Sequence, residues 1–237
     1  MKTDSNFHGI EGGLHLTKDF VSITKGLIKD EEVEVIFDLG SRDGCEAVAL
    51  SRVYPNAKVY AFECNPNMQP VMDMVVNDEP NVTWVNKAVS NYTGNIKFNV
   101  IAESNEEYNP GASSILHLTE EARSAEKDPV IWETDVESVR LDDWMKDNSI
   151  PKVDLIWMDL QGAEVIAMEG LGDSLSNVKA IHTEVELREY YKGAHLSGEM
   201  ERWFSDRDFK KIYTRPHGEN SFDTDFVFVN RKCIFQA

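Results

Sequence analysis

Cysteine, uninterrupted apolar sequence and positive charge are all scarce in this chain of 237 residues. Cys45, Cys64 and Cys233 are odd in number and lack metal-pair spacing, which argues against a disulfide framework and a structural zinc site and fits a reducing, cytoplasmic setting. The start, Met1-Lys-Thr-Asp-Ser-Asn6, has no apolar stretch of the secretory kind, and no later run reaches the roughly eighteen apolar residues of a membrane span. Lys and Arg number 24 against 42 Asp and Glu, a formal net charge of −18 with no basic cluster to reverse it locally. Such a surface repels phosphate backbones and anionic membranes, so neither nucleic acid nor a lipid surface is expected as a partner. Internal repeats and low-complexity segments are also missing.

What is present fits one elaborated α/β domain spanning 1–237, since 41% hydrophobic residues can bury one substantial core. Residues 1–32 read as an N-terminal helical extension, with Phe20, Ile23, Thr24 and Leu27 on one face of a helix over 17–29. Strands at 35–39, 58–62 and 82–85 alternate with helices at 45–54 and 68–76, a βαβαβ order that implies a parallel sheet with right-handed crossovers. The rhythm breaks at 94–151, read as an insertion with two strands (95–101 and 130–139), a short helix at 141–146 and a polar stretch, Asn105 to Ser114, expected to cover a ligand site. It resumes with strands at 153–158 and 180–187, and two last strands joined by a loop imply an antiparallel edge hairpin.

The junction Val35-Ile-Phe-Asp38-Leu-Gly40-Ser41-Arg42-Asp-Gly44 joins a buried strand to a turn that opens a helix. Its glycines let the backbone turn sharply and a ligand approach, and the free N–H groups of the helix start favour a ligand carboxylate or phosphate. The next strand ends in Glu63, placed to accept hydrogen bonds from both hydroxyls of a ribose. The Asp-x-Gly-x-x-x-Gly spacing lacks the third glycine of a pyrophosphate-binding fingerprint and is similar to the first motif of methyltransferases that use S-adenosylmethionine.

Further motifs follow in order: Ala61-Phe-Glu63-Cys-Asn65-Pro66, Asn86-Lys87-Ala88-Val-Ser90, Ser113-Ser114, Leu141-Asp-Asp143, Asp159-Leu-Gln161-Gly-Ala-Glu164, and Glu184 near the end of a strand. Together with the first junction they resemble the FkbM family of S-adenosylmethionine-dependent methyltransferases, over roughly Val33 to Val229. The resemblance implies a class I methyltransferase, Rossmann-like fold: a mostly parallel seven-stranded sheet with a reversed C-terminal hairpin and an inserted β/loop segment. It also implies methyl transfer to an oxygen of a sugar or natural product. Carried over, Asp38, Gly40, Ser41, Arg42 and Gly44 would lie on the methionine and ribose side of the cofactor, Glu63 on the ribose, and Asn65, Lys87 and Ala88 near the adenosine. Asp159 and Gln161 would stand where cofactor and acceptor meet. Three positions depart from the family pattern: Ser41-Arg42 for Ala-Asn, Trp157 for a common lysine, and Gln161 for a common glutamate.

Methyl transfer from a sulfonium needs orientation, and a base when a hydroxyl must lose its proton. Asp159 is the leading candidate for that base, with capping of the helix near Gly162 as its structural alternative, and Glu164 is expected to bond from behind. His182 and Glu184 share one strand face and form a second acid–base candidate pair, while His117, His195 and His217 read as exposed. Asp159 and Glu184 also imitate the acidic positions that hold a divalent ion in some oxygen methyltransferases, but no third ligand is readable and no metal is assigned. The reading is thus a cytoplasmic O-methyltransferase acting on a hydroxyl of a glycan, sugar nucleotide or secondary metabolite. N-methylation of a small amine and a scaffold without transfer activity are the alternatives, and a homodimer is left open.

Overall fold

A computed structural model describes residues 9–102, 110–125, 129–219 and 221–234. In chain order the elements begin with α1 (Gly9–Leu27), β1 (Val35–Leu39), α2 (Cys45–Val53), β2 (Lys58–Phe62), α3 (Gln69–Val76), β3 (Val82–Val85), β4 (Ala88–Val89) and β5 (Gly94–Ala102). They continue with α4 (Glu120–Ala125), β6 (Val130–Val139), α5 (Leu141–Asp147), β7 (Leu155–Met158), α6 (Glu164–Glu169), β8 (Ala180–Glu186), α7 (Ser197–Ser205), β9 (Phe209–Pro216), β10 (Asp223–Asn230) and α8 (Arg231–Ile234). Seven strands form the main sheet in the order β3-β2-β1-β7-β8-β10-β9, parallel except for β10, which runs against both β8 and β9. The class I methyltransferase topology expected from the motifs is therefore the observed one.

The order puts β1 inside the sheet, between β2 and β7, and its apolar side chains follow from that: Ile36, Phe37 and Leu39 are all fully buried. Alternation then divides the core in two. On one face Ile36, Leu155 and Trp157 pack under α1 and α2, with Phe20, Val48 and Leu50; on the other Phe37, Leu39 and Met158 meet Trp144 and Met145 of α5. The N-terminal helix begins earlier than its apolar stripe suggests and is fastened by the Thr24 hydroxyl, 2.6 Å from the Tyr54 hydroxyl at the end of α2.

The second sheet, β4-β6-β5, is the excursion anticipated from the sequence, but it ends sooner than expected. Helix α5, read as part of the insertion, belongs to the main core: the Trp144 ring packs edge-on against Phe37, Tyr60 and Phe62 at centroid distances of 5.8, 5.1 and 4.9 Å. Such contacts contribute about 0.5–1.5 kcal/mol each beyond area burial, which fixes this helix to the sheet. Of the stretch expected to cover the site, residues 105–109 lie outside the described residues. Pro110–Ala112 form a single 3-10 turn, and Ser114 is bridged to Asn99 of β5 by backbone hydrogen bonds of 2.8 and 3.2 Å. Among the described residues no helix is long and apolar enough to cross a membrane.

Candidate active site

A cavity of about 790 Å³ opens at the carboxyl ends of the parallel strands, lined among others by Gly40, Arg42, Glu63, Asp159 and Glu184. Its floor is the turn after β1. Gly40 has φ +82°, and a Cβ there would sit 1.9 Å from the Asp159 carbonyl oxygen, so the residue is glycine because two strand ends touch. The Gly40 and Ser41 N–H groups both donate to the Phe62 carbonyl at 3.0 Å, tying the turn to β2. Asp38 lies beneath, fully buried, accepting from Ser41 Oγ at 2.5 Å, and burial pushes its carboxyl well above the usual range.

Three sequence expectations change here. Asp38 and Ser41 do not reach the cavity wall; they brace the turn from inside. Gly44 is required by its left-handed φ of +77° at the α2 N-cap, and a Cβ on it would meet Met72 and Val76 of α3. The α2 N-terminus is also served by the chain itself, since Asp43 Oδ1 accepts the Cys45 N–H at 3.2 Å. A short acidic residue at a helix start satisfies one of the orphan donors that a ligand anion was expected to meet.

Glu63 is where its motif placed it. Its two carboxylate oxygens accept the Asn65 N–H at 2.6 Å and the Arg42 N–H at 2.9 Å, and burial, opposed by these bonds, pushes its pKa to about 7. Asn65, Lys87 and Ala88 share its part of the wall; Lys87 is ion-paired to Glu137, and the Asn65 amide reaches Ser113 Oγ at 3.3 Å.

Across β1 the wall turns acidic. Gln161 Nε2 donates to Asp159 Oδ1 at 2.5 Å and to Glu184 Oε1 at 3.2 Å. Burial raises the Asp159 carboxyl, and burial together with the Asp159 charge raises Glu184 well above the ordinary value. Asp159 does not cap α6. Glu164, the first residue of α6, holds the loop before the helix instead, its Oε1 accepting the Leu160 and Gly162 N–H groups at 2.9 and 3.3 Å, with burial pushing it to about 8.

His182 sits lower on the same face, stacked on Trp157 with ring centroids 3.5 Å apart and planes 2° apart, and Phe20 closes over both edges. It is 6% exposed, its Nδ1 is shut off from solvent, and its Nε2 lies 3.5 Å from Asp225 Oδ2. The ring is thus held by packing as part of the cavity wall, beside the Asp225 carboxylate.

Sequence reading missed the far end of the cavity. Tyr190, Tyr191, Phe222, Arg215 and His217 line it, as does Leu16 of α1. His217, expected to be exposed and idle, bridges Asp223 Oδ1 at 2.6 Å and Asp225 Oδ2 at 3.1 Å. The one available signal was the acidic alternation Asp223-Thr-Asp225 entering an otherwise apolar strand.

The hydrogen bond to Asp225, against the cost of burial, pushes His217 up to about 9 from 6.5. Burial alone would raise Asp225, but the two imidazoles hold it below the usual carboxylate range. The folded state thus gains stability from His217 in full below pH 6.5 and loses it as pH rises through about 9. The Tm difference between wild type and His217→Gln should shrink over that interval. A difference that stays constant from pH 6 to about 9.5 would remove the ion pair from the account. Among the described residues no group of three or more His, Cys, Asp or Glu is arranged to hold a metal ion.

The fold and the cavity, a glycine turn after the first strand and an acidic residue ending the second, define a class I methyltransferase. The methyltransferase FkbM domain matches residues 38–211, and the chain belongs to that family, whose cofactor is S-adenosylmethionine. It is 30% identical over 172 residues to the 2-O-methyltransferase NoeI of Sinorhizobium fredii, a match covering 67% of this chain and 66% of that protein. It is 25% identical over 187 residues to the hexuronic acid methyltransferase AglP of Haloferax volcanii, covering 76% of this chain and 70% of the other. The chain thus spans just under two thirds of the first relative's length. The fold is shared with the crystal structure of a fibrillarin/Nop5p complex, at a TM-score of 0.51 and 14% identity over 92% of this chain and 82% of that one.

Proposed function

We propose that the protein transfers the methyl group of S-adenosylmethionine to a hydroxyl oxygen of a sugar or glycan. The observation that carries this reading is that one cavity holds both a ribose acceptor and an acceptor-side carboxylate pair, on opposite sides of β1. Two features fit the cofactor: the buried Glu63 carboxylate at the end of β2, and the Arg42 side chain on the wall beside it, a cation suited to an amino-acid carboxylate. When bound, the cofactor supplies an electrophilic methyl group on sulfur.

The chain's own residues then orient the acceptor and manage its proton. Asp159 or Glu184 would take the proton of the acceptor hydroxyl as its oxygen takes the methyl group from the cofactor's sulfur. Tyr190 and Phe222, edge to face at 4.7 Å, offer apolar ring surface to the C–H face of a sugar. The names of the two relatives, a 2-O-methyltransferase and a hexuronic acid methyltransferase, support an oxygen acceptor on a carbohydrate. An amine acceptor is less well served, because Asp223 and Asp225 already have His217 as their cation. The three free cysteines support a reducing, cytoplasmic setting.

The test is a panel of hexose, deoxyhexose and hexuronic acid glycosides incubated with S-adenosylmethionine. S-adenosylhomocysteine release is measured, and the product's methyl group is located by mass spectrometry. Formation of an O-methyl glycoside is expected. Turnover with amines alone, or tight cofactor binding with no transfer to any acceptor, would overturn the reading in favour of N-methylation or a binding protein.

A further inference from the structure

We propose that Gln161 and Tyr191 are positioning residues that yoke Asp159 and Glu184 into one two-carboxylate unit, which takes up the acceptor's proton as a pair. The inference deepens the methyl-transfer reading and rests on it. It starts from the position of the Gln161 amide between the two carboxylates. A glutamate here would add a third negative charge to Asp159 and Glu184. The amide instead gives each carboxylate a hydrogen, at 2.5 and 3.2 Å.

Both hydrogens of the amide are spent in this way, and its oxygen is left to accept. The Tyr191 hydroxyl lies 2.7 Å from that oxygen and 2.8 Å from the Ala112 carbonyl. Its single hydrogen is shared between these two acceptors, and the share given to the amide oxygen favours the orientation that turns the NH₂ toward the acids. Tyr191 is itself buried, and its backbone N–H is held by Glu186 Oε1 at 3.1 Å.

The backbone is set as firmly as the side chain. Gln161 has φ +54°, a left-handed conformation that a residue with a Cβ seldom adopts. It is held there by Ser114 Oγ, which donates to the Gln161 carbonyl at 2.8 Å, and is followed by Gly162 at φ +90°. Ser114 and Ala112 both follow β5 in the inserted segment, so that segment braces the acids as well as walling the cavity.

The consequence for chemistry is a shared proton. Burial and the repulsion between two carboxylates held on one amide oppose double ionisation, while the amide's hydrogen bonds limit that cost, so the pair holds one proton at rest and its ionised member accepts the second from the acceptor hydroxyl. After transfer the pair carries two protons and returns one to water as the product leaves. The titratable and charged groups facing the pair are Arg42, Glu164, His182, Asp223 and Asp225.

The decisive measurement needs no acceptor. The full chain, labelled with ¹³C at Asp and Glu carboxyls, is titrated by NMR with and without S-adenosylhomocysteine; Asp159→Asn and Glu184→Gln assign the two signals. Each signal in the wild type should show two inflections at midpoints common to both. Gln161→Met removes hydrogen bonds that favour the ionised form, so both midpoints should rise together by about one pH unit. Tyr191→Phe should move both in the same direction by less.

Independent single-step titration of the two acids in the wild type, or midpoints unmoved in Gln161→Met, would overturn the proposal. Movement in Gln161→Met alone would remove Tyr191 from the device, and should Tyr191→Phe fail to fold, Gln161→Met carries the test. S-adenosylhomocysteine binding is followed by calorimetry in the same samples. Its absence in the wild type would count against the methyl-transfer reading, whereas the titration reports on the yoke in either case.

Discussion

Asp159→Asn and Glu184→Gln should each lower turnover about 10²–10⁴-fold at saturating S-adenosylmethionine, while S-adenosylhomocysteine affinity stays near that of the wild type. Each change is nearly isosteric and takes away a group that can hold the acceptor's proton. The structure places both on one amide, so the effects should be strongly non-additive: the double variant should lose little more than the worse single one. The measurement is S-adenosylhomocysteine release with a glycoside found active, with and without EDTA. If both variants stay within a few-fold of wild type, orientation is the whole mechanism and no carboxylate base operates. Loss of activity on chelation would instead make the two acids metal ligands.

The second large effect is expected at the other side of β1. Glu63→Ala should weaken S-adenosylhomocysteine binding by about 1.5–3 kcal/mol, roughly ten- to 150-fold, if the carboxylate accepts from ribose hydroxyls. The same carboxylate holds the Arg42 and Asn65 N–H groups, so part of the loss comes from a loosened turn. The pKa of about 7 adds a pH signature. A ribose that donates to the ionised form must draw off the proton. Affinity should therefore be full above pH 7 and fall toward lower pH by up to about tenfold per unit, with proton release on binding. Calorimetry in two buffers of different ionisation enthalpy reads both quantities. Affinity flat from pH 6 to 8, with Glu63→Ala folded and binding as the wild type does, would take Glu63 out of the cofactor site.

Much of this site was legible in sequence because its signals are local. A strand ending in Gly40 and another ending in Glu63 announce themselves through runs of four or five residues, and Asp159 and Glu184 follow from the same strand-end logic. What was not legible depends on which way a side chain is turned by packing, even where its partner is near in the chain. Gly44 looked like a ligand contact and faces α3, and Asp38 looked like a wall and lies under the turn. His217 looked idle until β10, inserted between β8 and β9, carried Asp223 and Asp225 to it.

The sequence by itself determined the α/β class, the parallel order of the first strands, the glycine turn, the acidic strand ends and the family, because all of these are written in periodicity and short spacing. Only the tertiary structure decided that α5 belongs to the core, that α1 walls the cavity through Leu16, that Trp157 and His182 stack, and that one amide at Gln161 joins two carboxylates. The physical reason is that a hydrogen bond or a ring stack requires distances of about 3–4 Å between atoms, and strands brought side by side by the sheet meet that condition irrespective of their separation along the chain.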